Sequence, residues 1–432
     1  MSTSPFNLAA SLQGARQASS SINALGRATS QSYAKNGAEG DKSDAASLRM
    51  KALAAMGNAI ERNQDDILEA NTLDLEISRD MAIPDLVVDW LKLTPERVQN
   101  VVNIFQRLAL TGTNYTTGGL SHDGATHYHV CPVGTVGFIY EAFPDLGAIA
   151  AALCICTGNA LVLKGGDEAT RTNRIIADLL QEALTKVGLP GELILPIASE
   201  SVSRQDISQS SEIDLIITHG RPSLVEQVVK RASVPVIPSR MGNCYLYWSA
   251  CGSLDTVYQM TVDSHSGTPD AVNRIEKILV HESLSPNAVI RLWNRLQESG
   301  FEVVADSAIA ALNSTDTAAQ SPEVASDEWS RAYLKKKVAL RQVASNEAAV
   351  QWINAHSSGH ADGIATTDYA ESRQFMNRCR SASVYINASP RFERNARRTG
   401  AIALGASDYK GTTGGLISMD TLQVRQRIFY GQ

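Results

Sequence analysis

The stretch from Cys131 to Asn173, CPVGTVGFIYEAFPDLGAIAAALCICTGNALVLKGGDEATRTN, decides the fold of this chain. Two β-rich runs, Val136–Tyr140 and Ala160–Lys164, flank the alanine-rich segment Leu146–Cys156, whose unbroken apolar residues predict a buried helix. The sequence Thr157-Gly158-Asn159 supplies the C-terminal stop, because glycine readily adopts the left-handed conformation in which many helices end. The pattern therefore predicts a strand, a helix and a second strand.

The residues after the second strand extend this unit. Gly165-Gly166 turns the chain, and Ala169–Val187 has the periodicity of a helix that Gly188-Leu189-Pro190-Gly191 closes. Strands and helices in this order form a βαβα unit with a glycine turn at the carboxyl end of a strand. Ligands bind at such ends in open α/β sheets, so we expect a functional site there.

The central stretch carries the motifs VGFIYEAFP and TGNALVLKGGDEATRTN in that order. Four further segments belong to the same scheme: Leu93–Arg97 (LTPER), Gly188–Pro190 (GLP), Val234–Ile237 (VPVI) and Tyr385–Phe392 (YINASPRF). In content and spacing these motifs resemble the glutamate-5-semialdehyde dehydrogenases (γ-glutamyl phosphate reductases), a family within the aldehyde dehydrogenase superfamily. The resemblance covers nearly the whole chain, but a fold alone does not establish an activity.

The resemblance implies an α/β, aldehyde dehydrogenase-like fold with a Rossmann-like cofactor domain, an α/β catalytic-type domain and a β-arm for oligomerisation. Residues 1–115 and 134–230 are expected to form the cofactor-type domain, and residues 231–382 the catalytic-type domain, where short strands and helices again alternate. Residues 116–133 and 383–432 are expected to form the interdomain return and the oligomerisation arm. We expect a homo-oligomer, a dimer or a tetramer; the sequence identifies no other protein partner.

Composition excludes several classes of protein. The chain has 432 residues and a net charge of −6, so it has no overall basic character and nucleic acid is not an expected partner. No apolar run approaches the roughly 20 residues that span a bilayer, and the N-terminus lacks the apolar core of a signal peptide. The 6 cysteines show no regular spacing, which is typical of reduced thiols in the cytoplasm, where we expect the protein.

The chemistry that the resemblance implies needs four groups. A cysteine thiolate attacks an acyl phosphate and holds the substrate as a thioester, and an asparagine amide with a backbone N–H stabilises the oxyanion. A carboxylate handles protons, and an arginine holds the anionic substrate. The resemblance further implies an NADP cofactor at the strand ends of the first domain.

The position of the nucleophile is occupied by valine. In the family the cysteine lies in a PSTCN segment before an apolar strand, and the matching segment here is Thr268–Asn273 (TPDAVN). Pro269 and Asn273 fix the register, which places Val272 where the cysteine belongs. Valine can neither ionise nor form a thioester. Cys244 matches a cysteine that the family carries elsewhere, and we expect it to be a packing residue.

The other three catalytic positions also differ. The family's YEARPN reads YEAFPD here, so Phe143 replaces the arginine and Asp145 replaces the oxyanion asparagine. A carboxylate would repel a developing oxyanion. We expect Asp145 to pair with a neighbouring donor, for which Asn273 is the candidate. The family's later glutamate aligns with Ile402, and four such losses in separate segments predict lost catalysis.

The cofactor positions are partly retained. Lys164 occupies the basic position that reads the nucleotide ribose, and the turn with Gly165, Gly166 and Glu168 is kept. These four residues are the tentative contacts of the nucleotide in this part of the chain.

The loop after a later strand departs further from the family. A glycine pair there is reduced to His219-Gly220, which we retain as tentative cofactor contacts. Arg221 could pair with a phosphate, whereas Pro222 removes a backbone donor. NADP binding is therefore left open. His127 and His129 face one side of a predicted strand, but without a third ligand we expect no metal site.

Three functions remain open. The first is a catalytically impaired or inactive relative of the family, kept as a binding, regulatory or assembly protein. The second is an active NADPH-dependent reductase of γ-glutamyl phosphate in proline biosynthesis, which requires either a different register of the nucleophile segment or an unforeseen nucleophile such as Ser266 or Asp270. The third is a different chemistry with Asp145 and His265 as acid and base. Without a nucleophilic cysteine, all six thiols should react slowly and without preference with an alkylating reagent.

Overall fold

A computed structural model describes residues 7–32, 43–112, 121–123, 126–198, 202–267, 269–270, 272–313, 324–396, 401–409 and 415–429. The chain forms two compact units. The first comprises Met1–Pro238, Arg397–Leu404 and Ile417–Gln432, and the second comprises Ser239–Ala396 and Gly405–Leu416. Among the helices in the described ranges, none is both long and apolar enough to cross a bilayer.

The first unit begins with helices. Their bounds are α1 (Leu8–Ser32), α2 (Ser43–Arg62), α3 (Gln64–Asp80), α4 (Asp85–Leu91) and α5 (Pro95–Thr111). Helix α5 starts with Thr94 as N-cap, which accepts a hydrogen bond from the Arg97 amide, and with Pro95 in the first turn.

The βαβα unit predicted from the central stretch is confirmed. It consists of β3 (Thr135–Tyr140), α6 (Pro144–Thr157), β4 (Ala160–Lys164) and α7 (Thr170–Lys186), with a short 3₁₀ turn at Asp167–Ala169. Every residue of α6 is buried, as its apolar sequence requires. Gly158 ends α6 in the left-handed conformation with φ = 82°.

The sheet of the first unit has the order β5-β4-β3-β6-β7. The elements of the first unit that follow α7 are the 3₁₀ turn Gly191–Leu193, β5 (Ile194–Pro196), α8 (Arg204–Ser208), β6 (Leu215–His219), α9 (Pro222–Arg231) and β7 (Val236–Ser239). Strand β3 pairs in parallel with β4 on one side and β6 on the other. The chain therefore moves outward from β3 to β5 and returns to β6, which makes the β3/β6 boundary the topological switch point.

The second unit contains a parallel sheet with the order β10-β11-β9-β8-β12-β13. Its strands are β8 (Cys244–Trp248), β9 (Ile275–His281), β10 (Glu302–Ala305), β11 (Lys337–Val343), β12 (Ala361–Ala365) and β13 (Ser383–Ile386). Its helices are α10 (Leu254–Ser264), α11 (Pro286–Glu298), α12 (Ser307–Asn313), α13 (Asn346–His356) and α14 (Tyr369–Arg378), with a 3₁₀ turn at Glu328–Ser330. The alternation of strands and helices predicted for this part of the chain is confirmed.

A separate antiparallel sheet has the order β1-β2-β16. Its strands are β1 (Ser121–Asp123), β2 (Thr126–Pro132) and β16 (Gln423–Ile428), and β16 follows a 3₁₀ turn at Met419–Leu422. Strands β14 (Ala403–Ala406) and β15 (Leu416–Ser418) form a two-stranded sheet. The predicted arm thus contains strands, and its role in oligomerisation stays a prediction. Residues 116–120, 124–125, 397–400, 410–414 and 430–432 of the predicted segments lie outside the described residues.

Candidate functional site

The turn after β3 has an unusual backbone. Ala142 and Phe143 are consecutive non-glycine residues with φ = 52° and φ = 39°, a region that L-residues rarely occupy. Two contacts hold the turn: the Ala142 amide donates to the Glu168 carboxylate, and the Glu141 amide donates to the His219 carbonyl at 3.1 Å. Such conformations persist only where the surroundings fix them, and they concentrate at functional sites.

The two glycines that follow β4, Gly165 and Gly166, lie next to the polar side chains of Asn173 and Glu168. A Cβ added to Gly166 would lie 2.1 Å from a carboxylate oxygen of Glu168, and one added to Gly165 would lie 2.2 Å from the amide nitrogen of Asn173. Burial raises the pKa of Glu168, while its hydrogen bond from Ala142 acts in the opposite direction. A side chain at either position would have to displace the neighbouring polar side chains of Glu168 and Asn173, and glycine avoids this.

Asp145 is neutralised within its own unit. The Arg97 Nε donates to its Oδ2 at 3.1 Å, and Arg97 Nη2 makes a second contact with its Oδ1. The expectation that Asn273 is the donor is wrong, since the Asn273 amide donates to the Pro390 carbonyl at 2.8 Å. A guanidinium presents two donors to one carboxylate, which an amide cannot match.

Phe143 is a packed apolar residue. It is fully buried, stacks on Trp90 with ring centroids 5.1 Å apart, and meets the edge of the His219 ring at 5.2 Å. The Arg97 guanidinium lies 5.6 Å from the centre of the same ring. The position at which the resemblance implies a substrate-binding arginine therefore belongs to an aromatic cluster.

The switch point between β3 and β6 is closed by an ion pair. Arg221 Nε lies 3.0 Å from both carboxylate oxygens of Glu141, and the Arg221 amide donates to Glu141 Oε2 at 3.1 Å. Gly220 has φ = 151°, and a Cβ there would lie 3.0 Å from the Glu141 Cβ. The possible phosphate contact of Arg221 is thus replaced by Glu141, a partner that sequence reasoning did not assign.

A cavity of about 350 Å³ lies at the carboxyl end of β4. Its lining residues are Lys164, Gly165, Asp167, Val202, Ser203, Arg204, Gln205, Ser208, Gln227, Val228 and Arg231. Lys164 is buried and donates to the Ala198 carbonyl at 3.2 Å. Burial lowers the pKa of Lys164; Asp167 opposes that shift and Arg204 adds to it. Three cations face one carboxylate, so the cavity suits a ligand that carries phosphate.

In the second unit, a hydrogen bond to its carbonyl oxygen fixes the backbone of Val272. Its side chain is 1% exposed, and its carbonyl oxygen accepts a hydrogen bond from His360 Nε2. Ser358 Oγ lies 2.8 Å from His360 Nδ1, which leaves the Nε2 proton for Val272. Burial lowers the pKa of His360 to about 4, so the ring is neutral at pH 7.

Cys244 lies close to this histidine but is a buried thiol. Its Sγ is 3.3 Å from His360 Nε2, and burial raises its pKa well above the ordinary value. A neutral thiol is a poor nucleophile, which agrees with the packing role expected for it. The thiols are not equivalent, however, because Cys251 is exposed while four others are buried. The expected uniform labelling therefore has to be revised.

The alternative nucleophiles near Val272 are engaged. Asp270 is completely buried and forms an ion pair with Arg394. Ser266 Oγ donates to the Asp263 carbonyl at 2.6 Å. His265 Nε2 lies 2.9 Å from the Ile275 carbonyl, and burial lowers the pKa of His265 to about 4.

The first unit brings most of the predicted site residues to one end of its sheet. Phe143, Asp145, the glycine turn after Lys164, and His219-Gly220 all follow the carboxyl ends of β3, β4 and β6. Ile402, also of the first unit, is 2% exposed and lies just before β14. Val272 and Asn273 belong to the second unit. The sequence did not reveal the roles of Arg97, Glu141, Arg204 and Arg231, although Arg97 lies in the LTPER motif and Glu141 in YEAFPD.

Comparisons with known proteins agree with this architecture. Residues 21–327 match the aldehyde dehydrogenase family. The chain is 42% identical to gamma-glutamyl phosphate reductase 2 of Synechocystis sp. and 32% identical to gamma-glutamyl phosphate reductase of Gloeobacter violaceus, in both cases over 89% of this chain and 92% of the relative.

Solved structures show the same fold. Gamma-glutamyl phosphate reductase of Thermotoga maritima superposes with a TM-score of 0.84 at 22% identity, over 99% of each chain. Betaine aldehyde dehydrogenase of Staphylococcus aureus, solved with NAD+, has a TM-score of 0.60 at 16% identity, over 89% of this chain and 84% of that one. The fold class and the family resemblance inferred from the sequence are confirmed.

Proposed function

The chain belongs to the aldehyde dehydrogenase family, and from this premise we propose that it is a dinucleotide-binding relative of the gamma-glutamyl phosphate reductases that does not form a thioester. One observation carries the proposal: Val272, which the resemblance places at the nucleophile position, is buried and its carbonyl is bound by His360. A hydrocarbon side chain cannot accept an acyl group. The protein then acts by binding, in a regulatory or assembly role.

Two positions in the first unit support the same conclusion. Asp145 presents a carboxylate, already paired with Arg97, where the resemblance places an amide donor. Phe143 lies in the aromatic cluster with Trp90 where the resemblance places an arginine. Neither side chain can stabilise an oxyanion or bind an anionic substrate.

The first unit offers groups that fit a dinucleotide. The cavity at β4 combines Lys164, Arg204 and Arg231 with the glycine turn, and its single carboxylate is Asp167. A phosphate on the adenosine ribose would be favoured by this excess of cations, so we propose NADP(H) rather than NAD(H). Arg221 is already bound to Glu141, which removes one cation from the cofactor's pyrophosphate and predicts weaker binding.

A second candidate is an active NADPH-dependent reductase of γ-glutamyl phosphate. The observation that favours it is the 42% identity to a relative named gamma-glutamyl phosphate reductase 2. The comparisons agree better with this candidate than with lost activity, because nothing in them indicates an inactive protein. It needs either a different register of the nucleophile segment or another nucleophile; Ser266 and Asp270 are engaged as described, and the Cys244 thiol is buried with a raised pKa.

The third hypothesis, with Asp145 and His265 as acid and base, has little support. Asp145 is ion-paired with Arg97, and burial lowers the pKa of His265 to about 4. A histidine with that pKa is a weak base at neutral pH, and its Nε2 proton is already donated to the Ile275 carbonyl.

We also propose a cytoplasmic homo-oligomer, a dimer or a tetramer, which light scattering of the purified protein would test.

An assay of the full chain distinguishes the first two candidates. Purified protein is incubated with glutamate-5-semialdehyde, phosphate and NADP, and NADPH formation is followed; the Gloeobacter violaceus relative serves as the positive control. We expect no turnover from this chain. Turnover in the usual enzyme range of about 1–10³ per second would refute the first candidate. The variants Ser266→Ala and Asp270→Asn would then show which side chain carries the reaction.

A further inference from the structure

The second unit contains a cavity of about 470 Å³ that the proposed function does not use. It is lined by Val324, Ala325, Ser326, Trp329, Arg341, Trp352 and His356, which define what we call the tryptophan cavity. Its volume lies in the range of pockets that hold small molecules, which is about 300–1,000 Å³.

Two tryptophans form fixed apolar walls of this cavity. The rings of Trp329 and Trp352 meet at 85° with centroids 6.0 Å apart, so they make a corner. The Trp329 carbonyl accepts hydrogen bonds from the Asn243 side chain at 3.1 Å and from the Tyr245 hydroxyl at 2.6 Å. These hydrogen bonds fix the backbone of Trp329, so the corner of the two rings is already formed without a ligand.

Arg341 is held in place with donors to spare. Its guanidinium carbon lies 3.7 Å from the centre of the Trp352 ring and 5.6 Å from that of Trp329. Its nearest acid, Asp306, is 4.0 Å away and accepts hydrogen bonds from the Ile309 and Gln342 amides at 3.0 Å. Within the described part of the chain, Arg341 Nε is buried without a hydrogen-bond partner.

The remaining polar groups of the cavity carry no charge. His356 Nδ1 lies 2.9 Å from Ser330 Oγ, and its ring lies 4.1 Å from Trp352. Burial lowers the pKa of His356, and Arg341 lowers it further. The lining therefore contains one cation, Arg341, beside a neutral imidazole and the Ser326 hydroxyl.

We propose that the tryptophan cavity binds a small carboxylate with a flat apolar body. The planar guanidinium of Arg341 matches a carboxylate, and the corner of Trp329 and Trp352 matches an aromatic ring. A single cation suits a monoanion better than a phosphate dianion. All of the groups involved belong to the second unit, so this cavity shares no residue with the cavity at β4 in the first.

Calorimetric titration of the full-length protein tests the charge and the body of the ligand separately. The probes are phenylacetate, phenylacetamide, acetate and inorganic phosphate. Phenylacetate should bind, and the other three should bind at least about tenfold more weakly. Phenylacetamide lacks the negative charge, and acetate and inorganic phosphate lack the aromatic ring. If phenylacetate fails to bind, or if the amide binds as well as the acid, the proposal is overturned.

Variants then locate the site. Arg341→Gln should weaken phenylacetate binding at least about tenfold, and Arg341→Lys should weaken it less, since lysine keeps the charge without the planar fork. The matched control is Arg378→Gln, an exposed arginine outside the cavity that pairs with Glu347 at 3.4 Å, and it should bind like the wild type. Circular dichroism checks folding of each variant. Unchanged binding in a folded Arg341→Gln, or displacement of phenylacetate by NADPH, would overturn the assignment.

Discussion

Arg97 and Asp145 form a two-point ion pair between the first turn of α5 and the first turn of α6, with Arg97 Nε 3.1 Å from Asp145 Oδ2. The same guanidinium donates to the Trp90 carbonyl at 3.0 Å. The charge and the hydrogen-bond donors of Arg97 are therefore used in contacts within the protein. The Asp145 carboxylate, at the position where the resemblance implies an oxyanion donor, is tolerated because an arginine in the LTPER motif neutralises it.

Arg97→Gln should destabilise the first unit. The two side chains are 16% and 10% exposed, so the loss of the guanidinium leaves a poorly hydrated carboxylate without a counter-charge. Breaking a buried pair by removing one partner costs about 3 kcal/mol or more, and we expect a loss near that lower figure. Urea unfolding followed by circular dichroism measures it.

A second substitution identifies the cause. Asp145→Asn in the Arg97→Gln background should restore most of the lost stability, because it removes the uncompensated charge. The control is Arg174→Gln, which breaks an exposed ion pair with Asp178 and should change stability by less than about 0.5 kcal/mol. Equal losses in Arg97→Gln and in the double variant would mean that packing of Arg97, not charge, explains the effect.

Alkylation should follow exposure rather than activation. We expect iodoacetamide at neutral pH to modify exposed Cys251 first, because Cys154 and Cys244 are buried and burial raises the pKa of both thiols. Mass spectrometry of the modified peptides gives the order, and Cys251→Ser should remove the fast phase. A fast-reacting Cys244 would contradict this order and would favour an active enzyme.

The sequence predicted the central part of the fold because its signals are local. Apolar runs, a glycine stop and a glycine turn each act within a few residues, and β3, α6, β4 and α7 formed where they indicate. Strand β8 was not assigned, since CYLYW lies among turn residues and owes its position at the centre of a sheet to pairing with the distant strands β9 and β12.

The partners of the site residues were harder to predict for the same reason. Asp145 is 48 positions from Arg97, and Glu141 is 80 positions from Arg221. No sequence pattern pairs charges over such separations, so reasoning along the chain favoured Asn273, which was wrong. The glycines at 165 and 166 were recognised by motif, but the reason for them lies in Asn173 and Glu168.

Acid should destabilise the second unit through His360. Its pKa is about 4 when folded and 6.5 ordinarily, so between these values the unfolded chain binds the proton more tightly. The free energy of unfolding should therefore fall as the pH drops from 6.5 to 4, by up to roughly 3 kcal/mol from this group. Burial raises the pKa of Glu276 to about 7 and of Asp362 to about 6. The contribution of these two groups to the free energy of unfolding therefore rises, not falls, as the pH drops.

The difference between two proteins isolates the histidine. His360→Gln keeps a donor for the Val272 carbonyl but cannot titrate, so its stability should fall less on acidification than that of the wild type. His281→Gln, which alters a surface histidine beside Ser283, is the control and should behave like the wild type. Parallel pH profiles for His360→Gln and the wild type would show that His360 does not titrate in this range.

NADPH should bind more tightly than NADH, and Arg204 should account for part of the difference. Arg204 and Arg231 line the cavity with Lys164, and Arg204 contributes to the lowered pKa of Lys164, so these cations repel each other in the absence of a ligand. A bound phosphate relieves that repulsion. NADPH at 100 times its dissociation constant should stabilise the fold by about 2.7 kcal/mol.

Arg204→Gln should weaken NADPH binding about tenfold and NADH binding less, whereas exposed Arg174→Gln should affect neither. Added salt should reduce the preference, because screening acts on charges that are open to solvent. Equal losses of NADPH and NADH affinity in Arg204→Gln would place the ribose phosphate elsewhere, and no binding of either would leave the first unit without the dinucleotide that we propose for it.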